Sequence, residues 1–172
     1  MQLPMELPMI FALALSLAMA VVVISDTRHF IIPNSLNLFL LALYALAAYL
    51  LGFDWLLGVV AMAVVLIIGM LIFATGILGG GDIKLLIVLM LWIGWGGTTG
   101  NFLFLTAIFG GFLAMILLLA RVTIGPVWRR LSPSRRAPRV LTPKQPLPYG
   151  VAIAAAFMLL LWTNQIPHLK PL

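Results

Sequence analysis

The stretch IFATGILGGGDIKLLIVLM, from Ile72 to Met90, places three glycines and an aspartate between two apolar runs. In lipid a single carboxylate costs roughly 3 kcal/mol even on insertion scales, and each backbone group freed at a glycine break needs another partner. Irregular backbone at membrane depth is tolerated only where it is buried in protein or lines a water-filled cavity. The stretch therefore predicts a break between two membrane helices, with Asp82 as a candidate functional residue.

The whole chain has the composition of an integral membrane protein. Of its 172 residues, 64% are hydrophobic and only 8% are charged, which is far from the proportions of a soluble domain. The chain has no cysteine, so thiol catalysis, disulfides and cysteine-ligated metals are excluded. Its two histidines, His29 and His168, form no H-E-x-x-H pattern. We therefore expect no metal and no cofactor.

The apolar runs predict an all-α bundle of about six transmembrane helices in a single membrane-embedded domain, residues 1–172. A helix needs about 20 apolar residues to cross a bilayer, or fewer if neighbours shield its ends. The predicted spans are residues 7–25, 35–51, 55–75, 83–97, 102–120 and 148–164. The short fourth span could instead be re-entrant, which would place the two termini on opposite sides. Glu6 stands where a secretory signal would carry positive charge, so we expect the first span to be retained.

The positive charges fall mainly on one side of this six-span arrangement. Nine of the ten Lys and Arg residues share that face, and only Lys170 lies on the other. The positive-inside rule makes the shared face cytoplasmic and puts both termini on the extracytoplasmic side. The same rule explains the net charge of +6, so we do not expect nucleic-acid binding.

Most of these charges lie in a Pro-rich and Arg-rich segment, which is predicted to be a basic cytoplasmic loop at about residues 121–147. Trp128 beside Arg129 and Arg130 suggests contact with anionic lipid headgroups. A loop that only sets the topology explains the segment equally well.

Two of the four acidic residues are predicted to share the cytoplasmic face. Asp26 ends the first span and Asp82 precedes the fourth, whereas Glu6 and Asp54 lie in short outer segments where a solvated charge costs little. Asp26 by itself is typical of an ordinary helix end. Two carboxylates in one site cannot both ionise cheaply, so one keeps a proton and the other stays charged. The charged member can then take a proton from water while the neutral member donates one to an amide carbonyl, which predicts peptide-bond hydrolysis.

The residues around each aspartate are predicted to shape this site. Glycines let another backbone lie alongside, although close helix packing would explain them equally well. Lys84 is interpreted as an anchor whose charged end reaches the membrane boundary. Pro33 suits a first helical position, and Asn34 or Ser35 can cap the second span. The glycines concerned are Gly79, Gly80 and Gly81.

Three elements of the sequence resemble the type IV prepilin leader peptidases, a family of GxGD aspartyl membrane proteases. GGGDIKLL at residues 79–86 matches their GxGD-x-K-L pattern, and DTRHFIIPN at residues 26–34 matches their D-(x)6-P-N element. LPYGVAIA at residues 147–154 resembles their P-[FY]-G segment, with Val151 where the family often has proline. The resemblance implies that Asp26 and Asp82 are the catalytic pair.

The resemblance also implies a substrate and a location. The family cuts the basic leader from type IV pilin-like precursors, which carry a transmembrane helix, at the cytoplasmic face of the bacterial inner membrane. Residues expected to bind substrate or shape the backbone by this resemblance are Pro33, Asn34, Gly79, Gly80, Gly81, Lys84, Pro148, Tyr149 and Gly150.

The chain departs from the long members of that family. Those members carry an N-methyltransferase region with four cysteines between the first two spans, whereas this chain has about ten residues there and no cysteine. We therefore do not expect methyltransferase activity. The chain is similar to the short class associated with Flp or tight-adherence pili, and the archaeal preflagellin peptidases are a nearby alternative.

Two other functions are consistent with aspartates at broken membrane helices. A small proton- or cation-coupled transporter would use them to bind its ion, but it would need polar residues along a path to both faces, and the middle of each span has few. A structural subunit of a pilus or secretion machine would use the basic loop to bind a partner. In that case, replacing either aspartate would leave function intact.

Overall fold

The computed structural model describes residues 6–74, 76, 79–131, 142 and 145–169. These residues form six α-helices and one short 3-10 helix, and none of them lies in a β-strand. The helices are α1 (Glu6–His29), α2 (Asn34–Leu51), α3 (Leu56–Ala74), α4 (Gly80–Ile93), α5 (Gly97–Leu131) and α6 (Tyr149–Trp162), followed by the 3-10 turn Pro167–Leu169. The predicted all-α fold is confirmed.

The six helices differ in length, and the difference organises the bundle. Helices α1, α2, α3 and α5 are long and apolar enough to cross a membrane. Helices α4 and α6 have 14 residues each, or about 21 Å at 1.5 Å per residue, against roughly 30 Å of hydrocarbon. Helix α4 packs against α2, α3, α5 and α6, while α6 packs against α1, α4 and α5. The two short helices therefore lie inside the bundle, where neighbours shield their ends from lipid.

Helix α5 continues beyond its predicted end. We expected a span over residues 102–120 and then a connector, but the helix runs from Gly97 to Leu131 and includes Pro126. A proline inside a helix removes one backbone hydrogen bond and kinks or breaks many helices, but the residues on both sides of Pro126 are helical here. At 1.5 Å per residue its 35 residues extend about 52 Å, longer than the hydrocarbon core. The prediction of a loop from residue 121 is therefore wrong for residues 121–131; most of the remainder of that segment lies outside the described residues.

Helix α1 buries one stripe along its length, and Asp26 belongs to it. The stripe follows the three- and four-residue spacing of a helix face. Asp26 comes one turn after Val22 and is only 4% exposed. The carboxylate therefore faces the protein interior. The buried residues of the stripe are Phe11, Ala12, Leu15, Ala18, Met19, Val22 and Asp26.

The order of the helices places the connections at two opposite ends of the bundle. We call the end with Asp26 and the first residues of α4 and α6 the aspartate end. At the opposite end, Gly52 and Gly94 close α2 and α4 with φ angles of 65° and 71°. Each donates its N–H to the carbonyl four residues earlier. With Gly94 as its C-cap, α4 therefore ends at Ile93, four residues before the predicted end of that span.

The last described residues close the opposite end. The 3-10 turn Pro167–Leu169 packs against α1, and the His168 ring stacks on Phe53 with centroids 4.0 Å apart. Burial lowers the pKa of His168, while the nearby Asp54 carboxylate acts in the other direction. The neutral imidazole is thus favoured in the folded protein.

Candidate active site

Helix α6 begins without a capping side chain of its own, and the carboxylate of Asp26 lies beside its first turn. Its N-cap is Pro148, which has no polar side-chain atom. The first amides of a helix have no partner within it and favour a nearby negative charge. The backbone amides of Gly150 and Val151 lie near the carboxylate of Asp26, whose Oδ2 accepts no hydrogen bond among the described residues. A carboxylate of α1 therefore lies close to the place that an N-cap side chain usually takes.

Asp82 is the third residue of α4, and its carboxylate interacts with the backbone of Gly79, the N-cap of the helix. A third-position carboxylate that reaches back to the N-cap amide forms half of a capping box. The same carboxylate interacts with Asp26 and with the backbone amide of Gly150. The backbone of Gly150 thus lies near both carboxylates, which belong to a single site.

A cavity of about 1,020 Å³ opens at the aspartate end. This volume is at the upper end of the range of ligand-binding pockets. Both aspartates line it, and so do six of the predicted site residues, namely Asn34, Gly79, Gly80, Gly81, Lys84 and Tyr149. Pro33, Pro148 and Gly150 do not line it but stand beside residues that do. The cavity therefore collects most of the residues that the sequence singled out.

The glycines make room for the carboxylates. A Cβ atom added at Gly79 would lie 3.0 Å from Oδ2 of Asp82, and one at Gly150 would lie 2.8 Å from Oδ2 of Asp26. Any side chain at either position would press on a carboxylate. These two glycines are therefore needed to accommodate the carboxylates of the protein itself. The predicted role of the glycines in admitting a substrate backbone stays a prediction.

Lys84 and Asn34 join α4 to α2 at the rim of the cavity. The Nζ of Lys84 donates a hydrogen bond of 3.2 Å to Oδ1 of Asn34. Pro33 occupies the N-cap of α2 instead of the predicted first helical position, and α2 has no side-chain capping bond. Asn34 is therefore not the cap that we expected, because its side chain is engaged by Lys84.

Tyr149 connects the cavity to α5. Its hydroxyl donates a long hydrogen bond of 3.4 Å to the carbonyl of Thr106. Its ring fills the space beside Gly110, where an added Cβ would collide with the ring atoms. Sequence reasoning missed Gly110, although a Gly-Gly pair inside an apolar helix is a signal of close packing.

The loop between α1 and α2 was also missed as part of the site. Phe30, Ile31 and Ile32 line the cavity. Phe30 has a φ of 56°, in the left-handed region that a bulky residue seldom adopts. The available signal was the position of these residues, inside the nine-residue element that begins with Asp26 and ends with Asn34.

Comparison with known proteins gives one result. The family model of the type IV leader peptidases matches residues 13–129. This range includes Asp26 and Asp82, covers more than half of the chain and ends before α6. Neither the curated proteins nor the solved structures gave a match. The chain belongs to the type IV leader peptidase family.

Proposed function

We propose that this protein is a membrane aspartyl endopeptidase that removes the leader from type IV pilin-like precursors, with Asp26 and Asp82 as its catalytic pair. Membership of the leader peptidase family supports the protease activity. One observation carries the aspartyl assignment, namely that both carboxylates line one cavity and lie near the backbone of Gly150.

The chemistry follows from two carboxylates that hold one proton between them. The charged member removes a proton from a water molecule as the water oxygen attacks the carbonyl carbon of the scissile bond. The neutral member gives its proton to the carbonyl oxygen, which forms a neutral tetrahedral diol. The carbon–nitrogen bond then breaks as one carboxyl group protonates the departing amine and the other takes back a hydroxyl proton. No covalent enzyme intermediate is needed.

The proposed location is a bacterial inner membrane, with the aspartate end at the cytoplasmic face and both termini on the extracytoplasmic side. The distribution of charge supports this orientation. Arg28 and Lys84 lie at the aspartate end, and the positive-inside rule assigns such a face to the cytoplasm. The leader of a pilin-like precursor would reach the cavity from that side.

The proposed substrate is a precursor of the Flp type. The support is the short connection between α1 and α2, where only residues 30–33 separate the two helices. That connection leaves no room for the methyltransferase region that the long members carry there. We therefore propose cleavage without methylation of the mature pilin.

The test is co-expression of a pilin-like precursor with Asp26→Asn or Asp82→Asn, followed by immunoblotting of the leader-bearing and mature forms. Each variant should leave the precursor uncut while accumulating in the membrane at the wild-type level. The matched control is Asp54→Asn at the opposite end. The one hydrogen bond described for the Asp54 side chain is the bond that its Oδ1 accepts from the Leu56 amide at 2.8 Å. An asparagine side chain caps a helix equally well. Cleavage at the native rate by either site variant would show that the pair assignment is wrong.

A further inference from the structure

We propose that Ile32 is a positioning residue that holds the two catalytic carboxylates at their working separation. The proposal rests on the proposed aspartyl mechanism and adds to it a residue that touches neither the water nor the scissile bond. Its basis is the position of one buried side chain against the backbone beside both aspartates.

The contacts of Ile32 reach α4 and α6 at once. The side chain is 6% exposed. A Cβ added at Gly81, the residue before Asp82, would lie 3.5 Å from Cβ of Ile32. A Cβ added at Gly150 would lie 2.9 Å from Cδ1 of Ile32. Ile32 thus lies between the backbone that carries Asp82 and the Gly150 backbone beside the carboxylate of Asp26.

The loop that carries Ile32 is tied to Asp26. The amide of Phe30 donates to the carbonyl of Asp26 at 2.9 Å, and the Ser25 hydroxyl donates to the carbonyl of Ile31 at 2.7 Å. The left-handed φ of Phe30 turns the chain back toward the cavity. Ile32 therefore moves with the end of α1 that holds Asp26.

Both the backbone and the side chain of Ile32 have little freedom. The residue before a proline is restricted to extended conformations, so Pro33 limits the backbone of Ile32. A β-branched side chain also has few accessible χ1 rotamers. These restrictions make Ile32 a stiff spacer among α1, α4 and α6, which gives the predicted site residue Pro33 an indirect role.

The spacing matters because the two carboxylates repel each other when both are charged, and because sharing one proton requires them to stay close. Removing the bulk of Ile32 would open space among the three helix ends. The carboxylates could then move apart or admit additional water. Their coupling would weaken, even though both groups remain present.

The experiment compares Ile32→Ala with Ile166→Ala, in the full-length protein purified in detergent and supplied with a pilin-like precursor. Ile166 is a matched control, because it is an isoleucine only 1% exposed and lies at the opposite end of the bundle. A misplacement of about 1 Å at a reacting group can cost about 100-fold in rate. We expect Ile32→Ala to lower kcat by about 10- to 100-fold with KM within about threefold of wild type.

The pH profile separates positioning from general loss of structure. When two carboxylates share a proton, the cleavage rate plotted against pH is bell-shaped. Weaker coupling between the carboxylates brings the acidic and basic limbs of that curve closer together. Ile32→Ala should therefore show a narrower bell than wild type. Ile32→Val keeps the β-branch beside Gly81 but lacks the Cδ1 atom beside Gly150, so its bell should have an intermediate width. Ile166→Ala should lose stability without narrowing the bell.

A second variant keeps the proposal testable if Ile32→Ala does not fold. Ile32→Leu conserves volume but moves the branch one carbon outward, away from Gly81. It should narrow the bell in the same direction as Ile32→Ala. A wild-type width in Ile32→Leu, or in Ile32→Ala where it folds, overturns the positioning role. Asp26→Asn in the same assay tests the catalytic pair separately, since wild-type cleavage by that variant would overturn the mechanism itself.

Discussion

Replacing Gly150 by alanine adds one methyl group against the carboxylate of Asp26, beside the cavity that both aspartates line. The new carbon would lie 2.8 Å from Oδ2 of Asp26 and 2.9 Å from Cδ1 of Ile32. The most favourable separation of non-bonded heavy atoms begins at roughly 3.5 Å. The methyl must therefore move away from the carboxylate oxygen by about 0.7 Å, or the carboxylate must move.

This displacement predicts both a stability cost and a larger cost in rate. Overpacking a filled interior costs about 1–3 kcal/mol. A shift of about 1 Å at a reacting group can cost about 100-fold in rate. We therefore expect Gly150→Ala to lower the cleavage rate of a pilin-like precursor by about 10- to 100-fold while the protein remains folded and inserted.

Two other glycines provide matched controls. A Cβ at Gly58 would meet the hydroxyl of Tyr44 and, at 2.6 Å, the carbonyl oxygen of Leu91, so Gly58→Ala is equally crowded but lies at the opposite end. A Cβ at Gly111 meets no described atom within 4 Å, and alanine favours a helix over glycine by up to about 1 kcal/mol. Gly58→Ala should lose stability and keep activity, and Gly111→Ala should keep both.

The assay measures the initial rate of precursor cleavage in detergent at matched protein concentration, with the thermal unfolding midpoint of each variant. Wild-type cleavage by Gly150→Ala would refute the close contact between Gly150 and Asp26. Equal loss of activity in Gly150→Ala and Gly58→Ala would show that crowding acts through stability alone.

Two further predictions concern the rim and the opposite end. Lys84→Met removes an exposed hydrogen bond to Asn34, so we expect a loss of stability below about 1 kcal/mol and cleavage within about threefold of wild type; a 100-fold loss would mean that Lys84 takes part in the reaction. Because burial lowers the pKa of His168, the unfolded chain binds more protons below about pH 6.5, and stability should fall there by at most about 1.4 kcal/mol per pH unit. His168→Phe keeps an aromatic ring against Phe53 but cannot bind a proton. It should remove the contribution of His168 to the pH dependence of stability, measured as unfolding midpoints between about pH 7.5 and about pH 5.5. An unchanged pH dependence of the midpoint would contradict the role given to His168.

Much of the fold follows from simple patterns in the sequence. The six apolar runs predict the six helices, because a helix satisfies its own backbone in lipid. The predicted end of α4 was wrong because Gly94 continues the apolar run in the sequence, whereas in the structure it ends the helix with a φ of 71°. The extension of α5 was missed because Pro126 and the following arginines are typical of a loop, since an interior proline often breaks a helix, whereas α5 continues through Pro126 to Leu131.

The sequence predicts the two acidic residues of the candidate site, but it does not predict the backbone group that lies near both of them. The helical spacing from Leu15 through Val22 to Asp26 already indicates that this carboxylate faces the core. The group that lies near both carboxylates is the backbone of Gly150, and no residue type marks a backbone position as the neighbour of two acids. Its role depends on how α6 packs against both α1 and α4, which a single sequence does not specify.

The most direct test of the central claim is the cleavage rate of the double variant Asp26→Asn with Asp82→Asn beside each single variant, in purified protein at constant pH. Groups that act as one catalytic unit are strongly non-additive. We expect each single variant to fall to the same residual rate and the double variant to fall no further. A rate loss in the double variant equal to the product of the two single-variant losses would contradict a shared catalytic site. A single variant that cleaves as fast as wild type would contradict it too.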